Sequence, residues 1–227
     1  MYSSELIYEN NGYIYMDSKT TIKDIIKSEI ISENLSELKQ TVSKYNNLNT
    51  TMEELINNLN IPVICLLTSL NTFIELNHEH YERSVLLKDF IKNNNIDLKY
   101  KEKIKFFNFK KLKDNQAISI ETLYKIINKD VATMSSSTFL ELDENKNIEQ
   151  VYITTNLVND IPSRELNIEL MMIDKNLNKK LINKACNTLN ILSRNYRKRN
   201  NMNLYDKLDV SNILSKSIES CYKYLNI

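Results

Sequence analysis

Three stretches of the chain are dense in side chains that could do chemistry. In "SRNYRKRNNMN", Arg194, Arg197, Lys198 and Arg199 cluster at the C-terminal end of a predicted helix, and three of the chain's five arginines fall in that window. Guanidinium groups make two-pronged hydrogen bonds to phosphate or carboxylate, so arginine concentrated in a lysine-preferring chain points to an anionic partner. The plainer reading is a solvated helix end whose cations offset the negative pole of the helix. In "KYKEKIKFFNFKKLKDN", lysines 99, 101, 103, 105, 110, 111 and 113 interleave with Tyr100, Phe106, Phe107 and Phe109. Rings beside cations suit stacking on single-stranded bases, or a membrane surface; the plainer reading is a lysine-rimmed edge strand. Together, Arg194, Arg197, Lys198, Arg199, Lys103, Lys105, Phe106, Lys110 and Lys111 form the candidate nucleic-acid surface, and any affinity would run through phosphate contacts.

The third stretch is "ELNHEHYE". On a helix, Glu75, His78, Glu79 and Glu82 would share a face, but His80 would point elsewhere and the H-E-x-x-H spacing of zinc sites is absent. No metal site is expected. Two near-adjacent histidines supply no nucleophile, base and orienting acid, so no catalytic residue is assigned, no cofactor is expected and the chain is read as non-enzymatic.

The single glycine bears on the same question. Phosphate cradles, nucleophile elbows and dinucleotide turns need backbone positions that glycine occupies cheaply, and a chain with one glycine argues against all three. Gly12 sits instead in "ELIYENNGYIYMD", where Asn-Gly between alternating runs predicts a hairpin with a type I′ turn. The net charge of +1 gives no global excess of either sign, so a charged partner must meet a local patch. Cys65, Cys186 and Cys221 are odd in number and widely spaced, which suits a reducing compartment. No secretory pattern opens the chain, and no stretch approaches the ~18 apolar residues of a membrane span. The expectation is an intracellular protein, cytoplasmic or nuclear, without membrane contact. The abundance of Asn, Ile and Lys suits an AT-rich genome, as some viruses, parasites and low-GC bacteria have.

The elements that must position these residues follow from periodicity. Ile22, Ile25, Ile26 and Ile30, then Leu35, Leu38, Val42 and Tyr45, recur at helical spacing over about 19–45. Thr51 and Glu54 form a capping box, Asn60 reads as a left-handed stop, and a second helix is predicted from Pro62 to Leu76. Tyr81, Val85, Leu86 and Phe90 predict another helix. The 99–115 stretch fits either strands or a short helix. Ser119 is expected to cap a helix through Ile127, "STFLELDENKNIEQVYITTN" reads as two strands around a polar turn, and "LNIELMMID" as a further strand. Ile182, Ala185, Leu189, Leu192 and Tyr196 mark a helix, and Leu214, Ile218, Cys221, Tyr222 and Leu225 a last one.

The helix pair around Pro62 resembles the promoter-reading segment of bacterial sigma factors in "EEL", "LNIPV" and "TSL", over about a tenth of the chain. The resemblance implies a helix-turn-helix whose second helix reads DNA. The residues favour a core hairpin, because Ile64, Cys65 and Leu67 stand where polar base-reading side chains are needed. The sequence therefore predicts a mainly helical α+β protein. It has a helical N-terminal half with an N-terminal hairpin, a small central sheet and two C-terminal helices, divided as 1–95 and 96–227 or forming one domain. It reads as a regulatory or accessory DNA- or nucleic-acid-binding factor, or alternatively a protein-interaction subunit of a larger assembly.

Overall fold

Asn11 and Gly12, with φ of 50° and 75°, turn the chain between β1 (Ile7–Asn10) and β2 (Tyr13–Asp17). Two consecutive positive φ values are the requirement of a type I′ turn. A Cβ on Gly12 would meet nothing within 4 Å, so a substitution here is resisted by the backbone alone. Gly12→Val should destabilise the first unit by about 1 kcal/mol, seen as a lower urea midpoint; an unchanged midpoint would count against the turn geometry.

The computed structural model describes residues 5–92, 95–127, 130–158, 161–199 and 210–225, and the chain divides into two units, 1–112 and 113–227. In the first unit, the isoleucine-rich stretch forms α1 (Ile22–Lys27), α2 (Glu29–Asn34) and α3 (Ser36–Val42). Ser28 separates the first two, its hydroxyl accepting the Ile31 N–H. The Thr51/Glu54 capping box opens α4 (Met52–Asn57). The left-handed residue after it is Leu59 (φ 51°), not Asn60, which instead caps α5 (Ile61–Ser69) by accepting the Val63 N–H at 3.2 Å. From Pro62 to Ser69 every residue of α5 is buried.

The helix expected over 62–76 ends at Ser69, and the rest of that stretch and most of the helix expected around Tyr81 are strands. After Asn71 (φ 51°) the chain forms β3 (Phe73–His78), a tight turn and β4 (Tyr81–Leu86), then α6 (Leu87–Phe90). Ile74 and Leu76 are buried while Phe73 and Asn77 face outward, the alternation of a strand. Spacings of four, such as Tyr81 to Val85, fit a period of two as well as 3.6, which is why they did not separate the cases. The short ladder β5 (Ile91–Lys92) with β6 (Asn95–Ile96) precedes β7 (Lys103–Lys110). The five-stranded antiparallel sheet has the order β1-β2-β7-β3-β4, so β7 is its middle strand and not an edge.

The second unit holds a four-stranded antiparallel sheet in the order β11-β10-β9-β8. Its strands are β8 (Gln116–Ile127), β9 (Asp130–Leu142), β10 (Ile148–Thr155) and β11 (Ser163–Arg164). The helix expected after Ser119 is the strand β8: Ser119 is buried and its hydroxyl donates to the Ser217 carbonyl instead of capping. Conversely, "LNIELMM" is a helix, α7 (Leu166–Met172), burying Ile168 and Met172 four apart. The amphipathic helices α8 (Lys179–Arg199) and α9 (Val210–Tyr224) complete the unit. Leu140, Val151, Ile153, Leu189, Leu214 and Ile218 share its core. Where α9 meets β8 and β9, the packing is polar: Ser217 Oγ lies 2.8 Å from Thr138 Oγ1 and 3.3 Å from Ser136 Oγ, and Cys221 Sγ donates to the Thr138 carbonyl at 3.0 Å. With two antiparallel sheets of five and four strands, the fold is α+β and not mainly helical.

Candidate functional site

The short strand β11 and the helix α7 meet the outer part of β10 at an open groove of about 430 Å³. Its lining includes Gln150, Tyr152, Arg164, Leu166, Leu170 and Ile173. Leu166 and Leu170, one turn apart on α7, are 59% and 72% exposed, while the intervening Ile168 and Glu169 are buried. The helix thus shows an apolar ridge outward and anchors itself by the other side. Beneath the ridge, Arg164 grips Glu169 with two bonds, Nε to Oε1 at 2.5 Å and Nη2 to Oε2 at 2.7 Å. Glu169 Oε1 also accepts the Ile153 N–H at 2.8 Å. The guanidinium lies 4.0 Å from the centre of the Tyr152 ring, which stacks on Phe139. The floor is therefore rigid and its charges are compensated internally.

Beside this pair Glu165 is buried, accepting the Thr155 hydroxyl at 3.0 Å. Burial pushes its carboxyl up to about 7, the Thr155 hydrogen bond opposing the rise and the charge of Glu169 adding to it. An unfolded glutamate titrates near 4.3, so between about 4.3 and 7 the folded chain holds a proton that the unfolded chain has lost. That contribution is fully present below pH ~4.3 and is lost as pH rises to about 7, a span on the order of 3 kcal/mol. Glu165→Gln should flatten this slope and be more stable than the parent at pH 8. Urea midpoints at pH 5 and pH 8 test it, and equal slopes in the two proteins would refute it.

Chemically, the groove is suited to accept apolar side chains beside a fixed cation–carboxylate pair. A second ionic cluster lies in the first unit. Arg83 binds Glu102 at 2.7 and 2.9 Å and Asp97 at 3.2 Å, and its hydrogen bonds hold the Glu102 carboxyl down to about 2. That cluster ties β4 to the segment before β7.

The residues singled out from the sequence are placed differently from their expected setting. Phe106, Phe107 and Phe109 are buried in the middle strand, so none is offered to a nucleic-acid base. Lys103 and Lys110 are exposed, Lys105 pairs with Glu82 at 3.0 Å and lies over the Phe106 ring, and Lys111 pairs with Glu9 at 2.9 Å. Arg194, Lys198 and Arg199 are exposed on the last turns of α8; the side chain of Arg197 lies outside the described residues. No face of α5 is left to read DNA. Glu75 sits on a strand, accepting the Asn108 amide at 2.8 Å, and His78 stacks on Tyr81. Among the described residues no three His, Cys, Asp or Glu side chains could hold a metal ion, and no helix is long and apolar enough to cross a membrane. The Arg164–Glu169 pair escaped sequence reading because five residues bring two side chains together only across the strand-to-helix corner at Glu165.

No family model matches the sequence, and no curated protein matches it. Its fold, however, is similar to solved structures. One is a carbon monoxide dehydrogenase from Hydrogenophaga pseudoflava lacking the Mo-pyranopterin moiety of the molybdenum cofactor. Its TM-score is 0.78 at 14% identity, covering 96% of this chain and 78% of that one. Reconstituted CO dehydrogenase from Oligotropha carboxidovorans gives 0.77 at 15%, covering 96% and 78%. Quinoline 2-oxidoreductase from Pseudomonas putida 86 gives 0.77 at 12%, covering 97% and 79%. These likenesses, with the burial of the aromatic residues and of α5, overturn the reading as a regulatory DNA- or nucleic-acid-binding factor. The chain has an α+β fold similar to that of chains in these carbon monoxide dehydrogenase and quinoline 2-oxidoreductase structures.

Proposed function

We propose that this chain is a subunit of a multi-chain oxidoreductase assembly, with protein as its partner. The observation that carries the reading is the fold likeness, which runs over 96% of the chain and so takes in both units. The apolar ridge of Leu166 and Leu170 supports it, since exposed leucines over a rigid, internally neutralised floor suit contact with another chain. The residues of this chain do not fit a molybdenum cofactor. Its one glycine is held in the Asn11-Gly12 turn, its three thiols are buried separately in α5, α8 and α9, and no cluster of metal-binding side chains exists among the described residues. On this proposal the redox group belongs to a partner chain.

The test is isolation of the tagged full-length chain from cells that naturally produce it, under native conditions. Light scattering, molybdenum analysis and a visible spectrum are then taken on the same peak. The expected result is a complex several times the mass of one chain, with molybdenum and absorbance above 350 nm following it, whereas the recombinant chain alone is colourless. A chain that elutes at its single-chain mass, without molybdenum or colour, would overturn the proposal.

A further inference from the structure

The outer face of α8 is a second surface that the groove does not use. The helix carries seven Lys and Arg residues and no acidic residue, in a chain whose net charge is only +1, so the other residues together carry an acidic excess. At 100° per residue, Lys180, Lys184, Ile191, Arg194 and Lys198 fall within a narrow sector, and all five are exposed. Asn187 falls in the same sector and Asn183 and Asn195 flank it, all three exposed. The opposite side buries Leu181, Ile182, Ala185, Cys186 and Leu189. The stripe runs about 27 Å from Lys180 to Lys198. Near its middle Ile191 is 60% exposed, an apolar point with cations on both sides.

We propose that this face docks an acidic protein surface, an elongated element such as a helix, which seats one apolar side chain against Ile191 and sets carboxylates against Lys180, Lys184, Arg194 and Lys198. The charge of the stripe selects the sign of the partner and speeds encounter, and the central apolar contact distinguishes a protein from a polyanion. A phosphate backbone would use the cations and gain nothing from Ile191. The inference stands on the surface of α8 and does not require the redox reading.

The experiment uses the full chain and a fluorescein-labelled helical peptide with glutamates along one face and a single leucine at its centre. A control peptide has asparagine in place of that leucine, and a 20-base-pair duplex serves as a polyanion. The expected result is binding of the leucine peptide that weakens at least about tenfold in Lys180→Glu/Lys184→Glu and about fivefold in Ile191→Asn. The control peptide should be insensitive to Ile191→Asn, and circular dichroism should be unchanged because the substituted residues are exposed. Three results would overturn the proposal. One is no binding of the acidic peptide. Another is a duplex that binds more tightly than the peptide without regard to Ile191. The third is light scattering in which the wild-type chain dimerises and the double variant does not, making a second copy the occupant.

Discussion

Leu67→Lys is expected to unfold the first unit. Leu67 is 0% exposed on α5, a helix whose residues from Pro62 to Ser69 are all buried. An ammonium there loses its hydration, on top of the lost packing of the leucine. Together these amount to about 4 kcal/mol or more, comparable with the whole stability of a small domain. The measurement is a urea melt of the full chain followed by tyrosine fluorescence and by hydrogen exchange in residues 1–112. Loss of protection should be confined to that unit. A variant that melts with the parent would mean that α5 has an open face after all, and would restore the helix-turn-helix geometry.

Arg164→Met should have the second-largest effect. It leaves the Glu169 carboxylate, whose side chain is 5% exposed, with the Ile153 N–H but without its counter-ion. Breaking a buried pair on one side costs about 3–5 kcal/mol, because the remaining charge keeps its desolvation penalty and loses its compensation. The double variant Arg164→Met/Glu169→Gln keeps an acceptor for Ile153 and removes the orphaned charge, so it should recover more than half of the loss. Denaturant midpoints of the two single variants and the double variant settle the matter. If Arg164→Met costs under 1 kcal/mol, the pair is not the floor of the groove.

What was legible in the sequence was what short-range chemistry decides. The Asn11-Gly12 turn, the Thr51/Glu54 capping box and the amphipathic helices α8 and α9 each rest on residues within one or two turns of each other. The strands β3, β4 and β8 carry a helical pattern in the sequence because apolar residues four apart satisfy both periods, and only pairing across the sheet decides between them. The lysine-rich segment, for which the sequence leaves strands or a short helix open, is a middle strand and not an edge because its neighbours β2 and β3 are brought to it from elsewhere in the chain. Its rings became core as a result. The groove was invisible for a similar reason: Leu166 and Leu170 count as core in any hydropathy pattern until α7 is seen to turn them outward.

The strand order β1-β2-β7-β3-β4 also bears on synthesis. Until β7 arrives, β1/β2 and β3/β4 are two separate hairpins, and isolated two-stranded ribbons are marginal in water. The pairing of Tyr13 with Lys110 spans most of the first unit, so the last strand made joins the two halves already present. A nascent chain whose emerged part stops before Lys103 should therefore be protease-sensitive throughout, and one in which Lys110 has cleared the ribosome should become resistant in a single step. On the ribosome, the N-terminal unit waits for its middle.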